Sequence, residues 1–191
     1  MAVNTALVTH LKTRRSVGIG FLKDPGPTDD ELRDILAIAT RVPDHGKFAP
    51  WRLVVFHGDA RRRAGELIAG LAQQIRPELD AAGLEIERNQ FLPAPVTVGV
   101  LVSPKPNPKA PYEEQLLSAG NVCFNLLHAA YAFGFAGSWT NRWYGTDPRA
   151  QQLLGARGGE HFVGFIHIGT PTAQVEDRDR PALADVVTYF G

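Results

Sequence analysis

The sequence has little of three things that mark many functional classes: cysteine, net charge and long apolar runs. Cys123 is the single cysteine in 191 residues, so neither an internal disulfide nor a cysteine-based metal cluster can form. The 20 Lys and Arg balance the 20 Asp and Glu, which disfavours binding to nucleic acid or to an anionic membrane. A lone cysteine fits a reducing compartment, and we interpret Cys123 as a small buried apolar residue.

Segments that would export or anchor the chain are also missing. Residues 1–16 lack the basic start, apolar run and small-residue cleavage site of a secretory signal. The most apolar strand-like run, residues 96–102, is much shorter than the roughly 20 residues that a membrane helix needs. We therefore expect a cytoplasmic protein without a membrane span, folded as one domain over residues 1–191.

Common nucleotide, metal and hydrolase motifs are absent from the sequence. The GIG at residues 18–20 has no third glycine and does not follow a strand, and no P-loop is present. The six histidines never form H-x-x-x-H or H-E-x-x-H, so we expect no metal site. His161 and His167 have even spacing on a predicted strand, which would place them on one face. The G-x-S-x-G elbow of serine hydrolases is missing.

Apolar residues at helical spacing predict six helices. These cover residues 3–13, 28–41, a segment capped by Asp59, a short segment after Pro77, residues 112–133 and a segment that begins at Asp147. Thr28 and Glu31 form a capping-box pattern, and Asp147 followed by Pro148 is typical of a helix start. The helix over 112–133 has apolar positions wide enough to bury most of its circumference.

Strand-like patterns are fewer than helical ones. They lie at 51–58, 96–102, a short strand and turn within 135–143, 161–171 and 186–191. The proline-rich residues 103–111 are expected to form a loop. The last strand follows a charged tract at the end of the chain, so we expect it to pair with another subunit. The predicted class is α+β, a small mixed β-sheet covered by helices.

Cations and ring-facing residues are gathered in four short segments. These are Arg14, Arg15 and Ser16; Arg41, His45 and Lys47; Trp139, Thr140, Asn141 and Arg142; and Arg178 and Arg180. Several arginines with hydroxyl or backbone donors suit a dianionic phosphate, and a flat ring needs apolar walls with a few polar groups at its edge. Together they describe a site for flavin mononucleotide (FMN). Taken singly, Arg14 and Arg15 are equally explained as solvated charges at a helix end, and Trp139 as a core residue.

The order of these motifs resembles the nitroreductase family of FMN-dependent oxidoreductases. RRS follows the first helix, R-x-P-D-H-x-x-x-x-P-W leads into a strand, GFAGSWTN ends the long helix, and VGFIHIGTP and VVTYF follow. Within that family the chain is most similar to the short YdjA-type NAD(P)H nitroreductases. The resemblance spans nearly the whole chain and implies a nitroreductase-like, intertwined homodimer with two flavins at the subunit interface.

The resemblance also implies which residues bind the cofactor. Three residues match the segment that holds the phosphate and ribityl oxygens: Arg14, Arg15 and Ser16. Three match the segment beside the flavin ring: Trp139, Thr140 and Asn141. Two match positions that the partner subunit contributes: Arg41 and His45. Four small residues match the region near the nicotinamide: Ala129, Ala130, Ala132 and Gly134.

Some positions depart from the family pattern or have no assigned role. Lys47 and Ala49 stand where the family loop commonly has Asn and Gln, so polar contacts from this part of the loop to the ring edge are not expected. Lys47, Arg178 and Arg180 have no assigned role. We expect the Asp44 carboxylate to orient His45 by a hydrogen bond.

The implied activity is hydride transfer from NAD(P)H to bound FMN and then to a small-molecule electron acceptor such as a nitroaromatic or a quinone. The cofactor carries the redox chemistry, so we expect no catalytic acid or base among the residues. Two alternatives stay open: a flavin-binding protein without turnover, and a flavin-fragmenting or ene-reducing enzyme of the same fold. The sequence identifies neither the acceptor nor a preference between NADH and NADPH.

Overall fold

The computed structural model describes residues 2–106 and 109–191. Its helices are α1 (Thr5–Thr13), α2 (Asp29–Ala39), α3 (Asp59–Ile75), α4 (Ala81–Arg88), α5 (Tyr112–Ala132), α6 (Pro148–Leu153) and α7 (Leu183–Val186). Its strands are β1 (Leu22–Lys23), β2 (Trp51–His57), β3 (Val96–Val102), β4 (Ala136–Thr140) and β5 (His161–Pro171). Each helix and strand predicted before residue 172 has a counterpart among these elements.

Side-chain caps mark where several helices begin, and two of these caps, before α2 and α6, were predicted from the sequence. The Thr28 hydroxyl accepts a hydrogen bond from the Glu31 backbone N–H, and the Glu31 carboxylate accepts from the Thr28 N–H. The predicted capping box before α2 is therefore confirmed. The Asp147 carboxylate caps α6 by accepting hydrogen bonds from the Arg149 and Ala150 N–H groups, with Pro148 in the first turn, as predicted.

The start of α3 differs from the prediction by one residue. Gly58 precedes the helix with a φ of 58°, and Asp59 is the first helical residue instead of the cap. The Asp59 carboxylate accepts hydrogen bonds from Arg62 and Arg63 one turn further along. A glycine tolerates this left-handed backbone, which lets the chain turn sharply out of β2.

The strands form one small sheet in the order β1-β5-β3-β2, with β4 also paired to β5. β3 lies along one edge of β5, while β4 and β1 share the other. β3 is buried along its whole length, as its β-branched composition predicted. The α+β class is confirmed, but each strand pair in the described residues is antiparallel, so the expectation of a mixed sheet is wrong.

A β-bulge in β5 changes which of its residues share a face. The pairing between β3 and β5 skips Val163, and one extra residue in a strand reverses the alternation of side chains. His161 is accordingly exposed, whereas His167 is fully buried. The expectation that these two histidines lie on one face is therefore wrong.

Helices cover both faces of the sheet. On one face, α2 and α5 pack against β3 and β5 through Ile35, Val98, Cys123, Leu126 and Ile166. On the other, α3 and the segments around it pack through Phe56, Ile68, Phe91, Leu101 and Phe165. Cys123 is fully buried, and desolvation raises the pKa of its thiol to about 12, which agrees with its interpretation as a small apolar core residue.

The long helix α5 buries less of its circumference than its apolar residues predicted. Leu117, Phe124 and Tyr131 are 68%, 43% and 53% exposed. They are seven residues apart, so they form a stripe along the side of α5 that faces away from the sheet. We call these three residues the α5 stripe. In the single chain much of this stripe is exposed, which corrects the prediction that α5 buries most of its circumference.

The C-terminal segment does not form the predicted strand. Val186 ends the short helix α7, and residues 187–191 lie outside regular secondary structure. Tyr189 and Phe190 are almost fully exposed. A strand needs a neighbouring strand for its backbone hydrogen bonds, and residues 2–106 and 109–191 of the single chain supply none here. Pairing of this segment with another subunit stays a prediction.

Two other expectations concern the proline-rich segment and membrane insertion. The described parts of 103–111 contain no helix or strand, in agreement with the predicted loop, and Asn107 and Pro108 lie outside the described residues. Among the helices of residues 2–106 and 109–191, none has the length and apolar character needed to cross a bilayer.

Candidate cofactor site

A cavity of about 630 Å³ opens beside the end of α1. Its walls come from the end of α1, from the turn between α5 and β4, and from the segment that follows β5. The Arg14 N–H donates to the His10 carbonyl oxygen at 2.8 Å, and the Val17 N–H donates to the Gly137 carbonyl oxygen at 3.1 Å. The first bond continues α1 and the second ties the residues after it to β4. Arg14 and Arg15, which lie between them, are both in the cavity wall.

The two arginines differ in their partners. The Arg14 guanidinium carbon lies 5.6 Å from the centroid of the Phe124 ring, and this side chain makes no ion pair within the described part of the chain. Arg15 donates to the Glu176 carbonyl oxygen and lies 3.8 Å from an Asp177 carboxylate oxygen. Arg14 is therefore free to bind an anion by charge-assisted hydrogen bonds, while Arg15 also holds the rim of the cavity. Ser16 follows directly and is exposed.

Two histidines without a sequence-based role meet beside Arg14. His10 Nε2 and His128 Nδ1 are 2.7 Å apart, and the His10 ring stacks on Tyr131 with 3.9 Å between centroids. Burial and the Arg14 charge lower the pKa of both rings, which favours neutral imidazoles. His10 lines the cavity and lies four residues before Arg14 on α1. Helical spacing is thus the signal that could have placed His10 at this site.

Strand β4 connects the cavity to the other predicted residues. Ala136 and Gly137, at its start, line the cavity. Trp139 and Thr140 end the same strand, and Asn141 is the first residue after it. A strand rises about 3.3 Å per residue, so Thr140 lies roughly 10 Å beyond Gly137. An elongated ligand with an anionic group beside the arginines could therefore extend along β4 to these three residues.

The side chains at the end of β4 have defined contacts. The Trp139 indole nitrogen packs directly on Gly164, where any Cβ would overlap it. The Thr140 hydroxyl lies 3.2 Å from Nε2 of the buried His167. Trp139 is 39% exposed, so it is a surface residue that leans on the sheet and not a core residue.

A second cleft of about 510 Å³ lies next to the end of β4. Arg142 lines it together with Ile19, Gly20 and residues from α4 to Pro93. The guanidinium of Arg142 makes no ion pair in the part of the chain that the structure describes. The preceding residue, Asn141, packs its side-chain oxygen against Gly145.

The loop between α2 and β2 has a strained backbone. Gly46, Lys47 and Ala49 all have positive φ values, of 76°, 58° and 46°. The Asp44 carboxylate accepts hydrogen bonds from the backbone N–H groups of Phe48 and Ala49 at 3.2 and 2.8 Å. Asp44 thus stabilises the loop itself, and the expectation that it orients His45 is wrong.

His45 has a different partner. Its Nδ1 lies 2.6 Å from a Glu114 carboxylate oxygen at the start of α5, and both side chains are about half exposed. Ser118 on the same helix donates to the Pro43 carbonyl oxygen at 2.9 Å, which attaches the loop to α5. Arg41 is exposed, and neither Arg41 nor His45 lines the cavity of its own chain. Their assignment to a partner subunit's site stays a prediction.

The sequence of the chain is similar to those of known proteins. Residues 11–170 match the sequence profile described as the nitroreductase family. The chain is 32% identical over 170 residues, 88% of its length and 92% of the relative, to "Putative NAD(P)H nitroreductase YdjA" of Escherichia coli K12. This chain belongs to the nitroreductase family. The family predicted from the order of the motifs is therefore confirmed.

Solved structures show the same nitroreductase fold. A nitroreductase-like family protein from Bacillus cereus superposes with a TM-score of 0.84 and 22% identity, over 100% of this chain and 98% of the other. A nitroreductase with bound FMN from Desulfitobacterium hafniense DCB-2 has a TM-score of 0.70 and 20% identity, over 100% of both chains. At these identities the likeness establishes the fold.

The four small residues matched to the nicotinamide region of nitroreductases do not lie together. Ala129 and Ala130 are buried in the core against the sheet, while Ala132 and Gly134 line the 630 Å³ cavity. Gly134 has a φ of 85°, which only a glycine adopts readily, and it lets the chain turn from α5 into β4. Of these four residues, Ala132 and Gly134 are therefore the two that a ligand could reach in the single chain.

Arg178 and Arg180 lie beyond the rim of the cavity. Arg180 donates to an Asp177 carboxylate oxygen at 3.2 Å, and the same carboxylate lies near Arg15. The Arg178 backbone N–H also donates to Asp177. These contacts place both arginines near the predicted anion site without assigning them a role. Among the described residues, no group of three or more His, Cys, Asp and Glu could hold a metal ion.

Proposed function

We propose that this chain is an FMN-dependent NAD(P)H oxidoreductase. When bound, FMN supplies two-electron chemistry, in which hydride accepted from NAD(P)H is passed to an electron acceptor such as a nitroaromatic or a quinone. The observation that carries the proposal is the 630 Å³ cavity, which has two arginines in its wall and reaches the start of β4 at Ala136 and Gly137. Family membership and the bound FMN of the Desulfitobacterium structure support it.

The residues of the cavity fit the anionic end of FMN. Arg14 makes no ion pair in the described part of the chain, and a guanidinium and a phosphate form bidentate charge-assisted hydrogen bonds. Arg15 would complete this end while it keeps the rim closed through Glu176. The hydroxyl of Ser16, which follows in the chain but lies outside the cavity wall, would contact the phosphate from the edge. The neutral His10 beside them adds no competing charge. These residues would hold the phosphate and the first ribityl oxygens.

The end of β4 fits the ring. Trp139 offers an apolar wall, and the backbone of Thr140 and the side chain of Asn141 offer polar groups at the distance that an elongated ligand would span. A flat heterocycle needs such a wall and a few edge donors. In this proposal the chain binds and orients the ring, and no side chain acts as a general acid or base. The cleft that Arg142 lines would remain beside the ring.

We further propose that the working unit is a homodimer. The α5 stripe and the exposed Tyr189 and Phe190 present apolar surface that a second copy would cover, and such patches mark interaction sites. The loop of Arg41 and His45 lies away from its own cavity, so a partner's cavity would receive it. Each chain would contribute one domain, residues 1–191, and its single buried cysteine suits a cytoplasmic location.

Anaerobic reduction tests the enzymatic proposal. The purified protein, saturated with FMN and freed of excess, is mixed with NADH or NADPH while the flavin absorbance is followed. We expect the yellow colour to bleach and to return when a nitroaromatic or a quinone is added. Bound flavin that neither nucleotide reduces would identify a binding protein without turnover, and a protein that does not retain FMN would refute the proposal.

A further inference from the structure

A buried histidine connects two strands behind the end of β4. His167 lies on β5, fully buried. Its Nδ1 lies 2.9 Å from the Thr97 hydroxyl on β3, and its Nε2 lies 3.2 Å from the Thr140 hydroxyl on β4. Both ring nitrogens are thus used, and they join the two strands that flank β5.

The sheet register explains why these three side chains meet. Thr97 is the direct cross-strand partner of His167, and Thr140 is the partner of Phe165, two residues earlier on the same face of β5. Phe91 and Phe165 form the apolar surroundings. Burial among them, with the Arg142 charge nearby, lowers the pKa of His167 to about 4, so the imidazole is neutral near pH 7.

A neutral imidazole has one donor and one acceptor. If Nε2 carries the proton, it donates to the Thr140 hydroxyl, and if Nδ1 carries it, Nε2 accepts from that hydroxyl. In both tautomers the hydrogen bond to His167 holds the Thr140 side chain on the face of the sheet that carries Phe165. Its backbone, and the neighbouring Trp139 and Asn141, are thereby held at the end of β4.

We infer that His167 is a positioning residue that acts through Thr140 to hold the end of β4 in the geometry that binds the flavin ring. The inference rests on the proposed function, because it assumes that Thr140 and its neighbours contact FMN. His167 itself lies too deep to touch a ligand. Its loss should therefore weaken binding of the ring and leave the phosphate end unchanged.

Two amide substitutions separate the two contacts of His167. The amide of asparagine reaches about as far as Nδ1, and that of glutamine about as far as Nε2, so H167N keeps the Thr97 contact and H167Q keeps the Thr140 contact. We expect H167N to weaken FMN binding to the apoprotein by roughly 2- to 10-fold, the worth of one hydrogen bond. H167Q should restore most of that loss. Riboflavin, which has no phosphate, should lose affinity by the same factor as FMN in H167N.

A double-mutant cycle and backbone spectra complete the test. T140V removes the hydroxyl without opening the core, so it should weaken FMN binding as H167N does, and H167N should add little to T140V. If H167N fails to fold, T140V alone still tests the contact between His167 and Thr140. Amide NMR signals of residues 139–141 in the flavin-free protein should move in H167N more than in H167Q.

The outcomes distinguish this inference from the proposed function. Wild-type protein that does not bind FMN refutes the proposed function, and the amide signals then decide whether His167 positions β4. If wild type binds FMN and both H167N and T140V bind it equally well, the positioning role is refuted. Equal losses in H167N and H167Q would assign His167 a general structural role and would also overturn the inference.

Discussion

Replacing Arg14 by alanine should remove the principal anion contact of the cavity. Arg14 lies in the cavity wall and makes no ion pair within the described residues, so its charge is available to a phosphate. Its other contact, with the Phe124 ring at 5.6 Å, supports the fold and not the ligand. Arg15 also bonds to the Glu176 carbonyl oxygen and lies near Asp177, so its loss would disturb the rim as well. Arg14→Ala is therefore the cleaner perturbation.

The expected magnitude follows from one charge-assisted interaction. Such a hydrogen bond contributes about 1.5–3 kcal/mol, which corresponds to a loss of roughly 10- to 100-fold in FMN affinity. Arg14 is partly exposed, so we expect values near the lower end, and high salt should narrow the difference between variant and wild type.

The assay compares FMN with riboflavin on the same apoprotein by quenching of flavin fluorescence. Because riboflavin lacks the phosphate, Arg14→Ala should weaken FMN binding and leave riboflavin binding nearly unchanged. Arg33→Ala is the matched control, since Arg33 is an exposed arginine on α2 whose one ion pair among the described residues is with Asp30. It removes the same charge far from the cavity and should change neither affinity.

Two results would contradict the reasoning. If Arg14→Ala bound FMN as tightly as wild type, Arg14 would be a solvated charge at a helix end, the alternative that its sequence position also allows. If FMN and riboflavin affinities fell equally, Arg14 would act on the ring or on the fold instead of on the phosphate. The thermal midpoint of the variant separates these last two causes.

Three further predictions concern packing, pH and assembly. Gly164→Ala should overlap the Trp139 indole, lower the free energy of unfolding by about 1–3 kcal/mol and weaken flavin binding, whereas Gly158→Ala, which has open space around it, should do neither. If Gly164→Ala bound flavin as tightly as wild type, Trp139 would not be part of the flavin site. Burial lowers the pKa of His167 to about 4 in the folded chain, against about 6.5 when unfolded. Between these pH values the unfolded chain binds the proton and the folded chain does not, so the free energy of unfolding falls by about 3 kcal/mol as the pH drops from 6.5 to 4. Urea unfolding across this range should show a shallower pH dependence for His167→Gln, and an identical slope would contradict the assignment. Ending the chain before Val186 should weaken a dimer measured by light scattering, and an unchanged dimer with full flavin content would contradict a role for this segment in the interface.

Elements whose signals are local in sequence could be predicted from the sequence. The capping box of Thr28 and Glu31, the Asp147 cap with Pro148, and the buried strand Val96–Val102 all appear where the sequence placed them. Such signals involve neighbours within one turn or one strand, so they act the same way in any tertiary context. The ordered set of motifs likewise identified the family.

Features that depend on distant neighbours could not be predicted in this way. The residue at which β5 bulges is decided by its pairing with β3, and a period-two reading of the sequence therefore misplaced His161 relative to His167. The exposure of the α5 stripe could not be predicted either. An apolar pattern indicates which residues are buried on folding or assembly, but it does not indicate which surface covers them. The same limit applies to the terminal segment, whose residues can form a strand only beside a partner.

The candidate site also combines features that are local in sequence with features that depend on distant residues. The sequence by itself determined that Arg14, Arg15 and Ser16 follow a helix and that Trp139, Thr140 and Asn141 lie at or just beyond the end of a strand, because adjacency along the chain is covalent. Only the tertiary structure decided that α1 and β4 share one cavity, and that His167 on a third element supports Thr140. Those contacts join residues far apart in sequence, and they exist because packing the sheet against its helices brings the elements together.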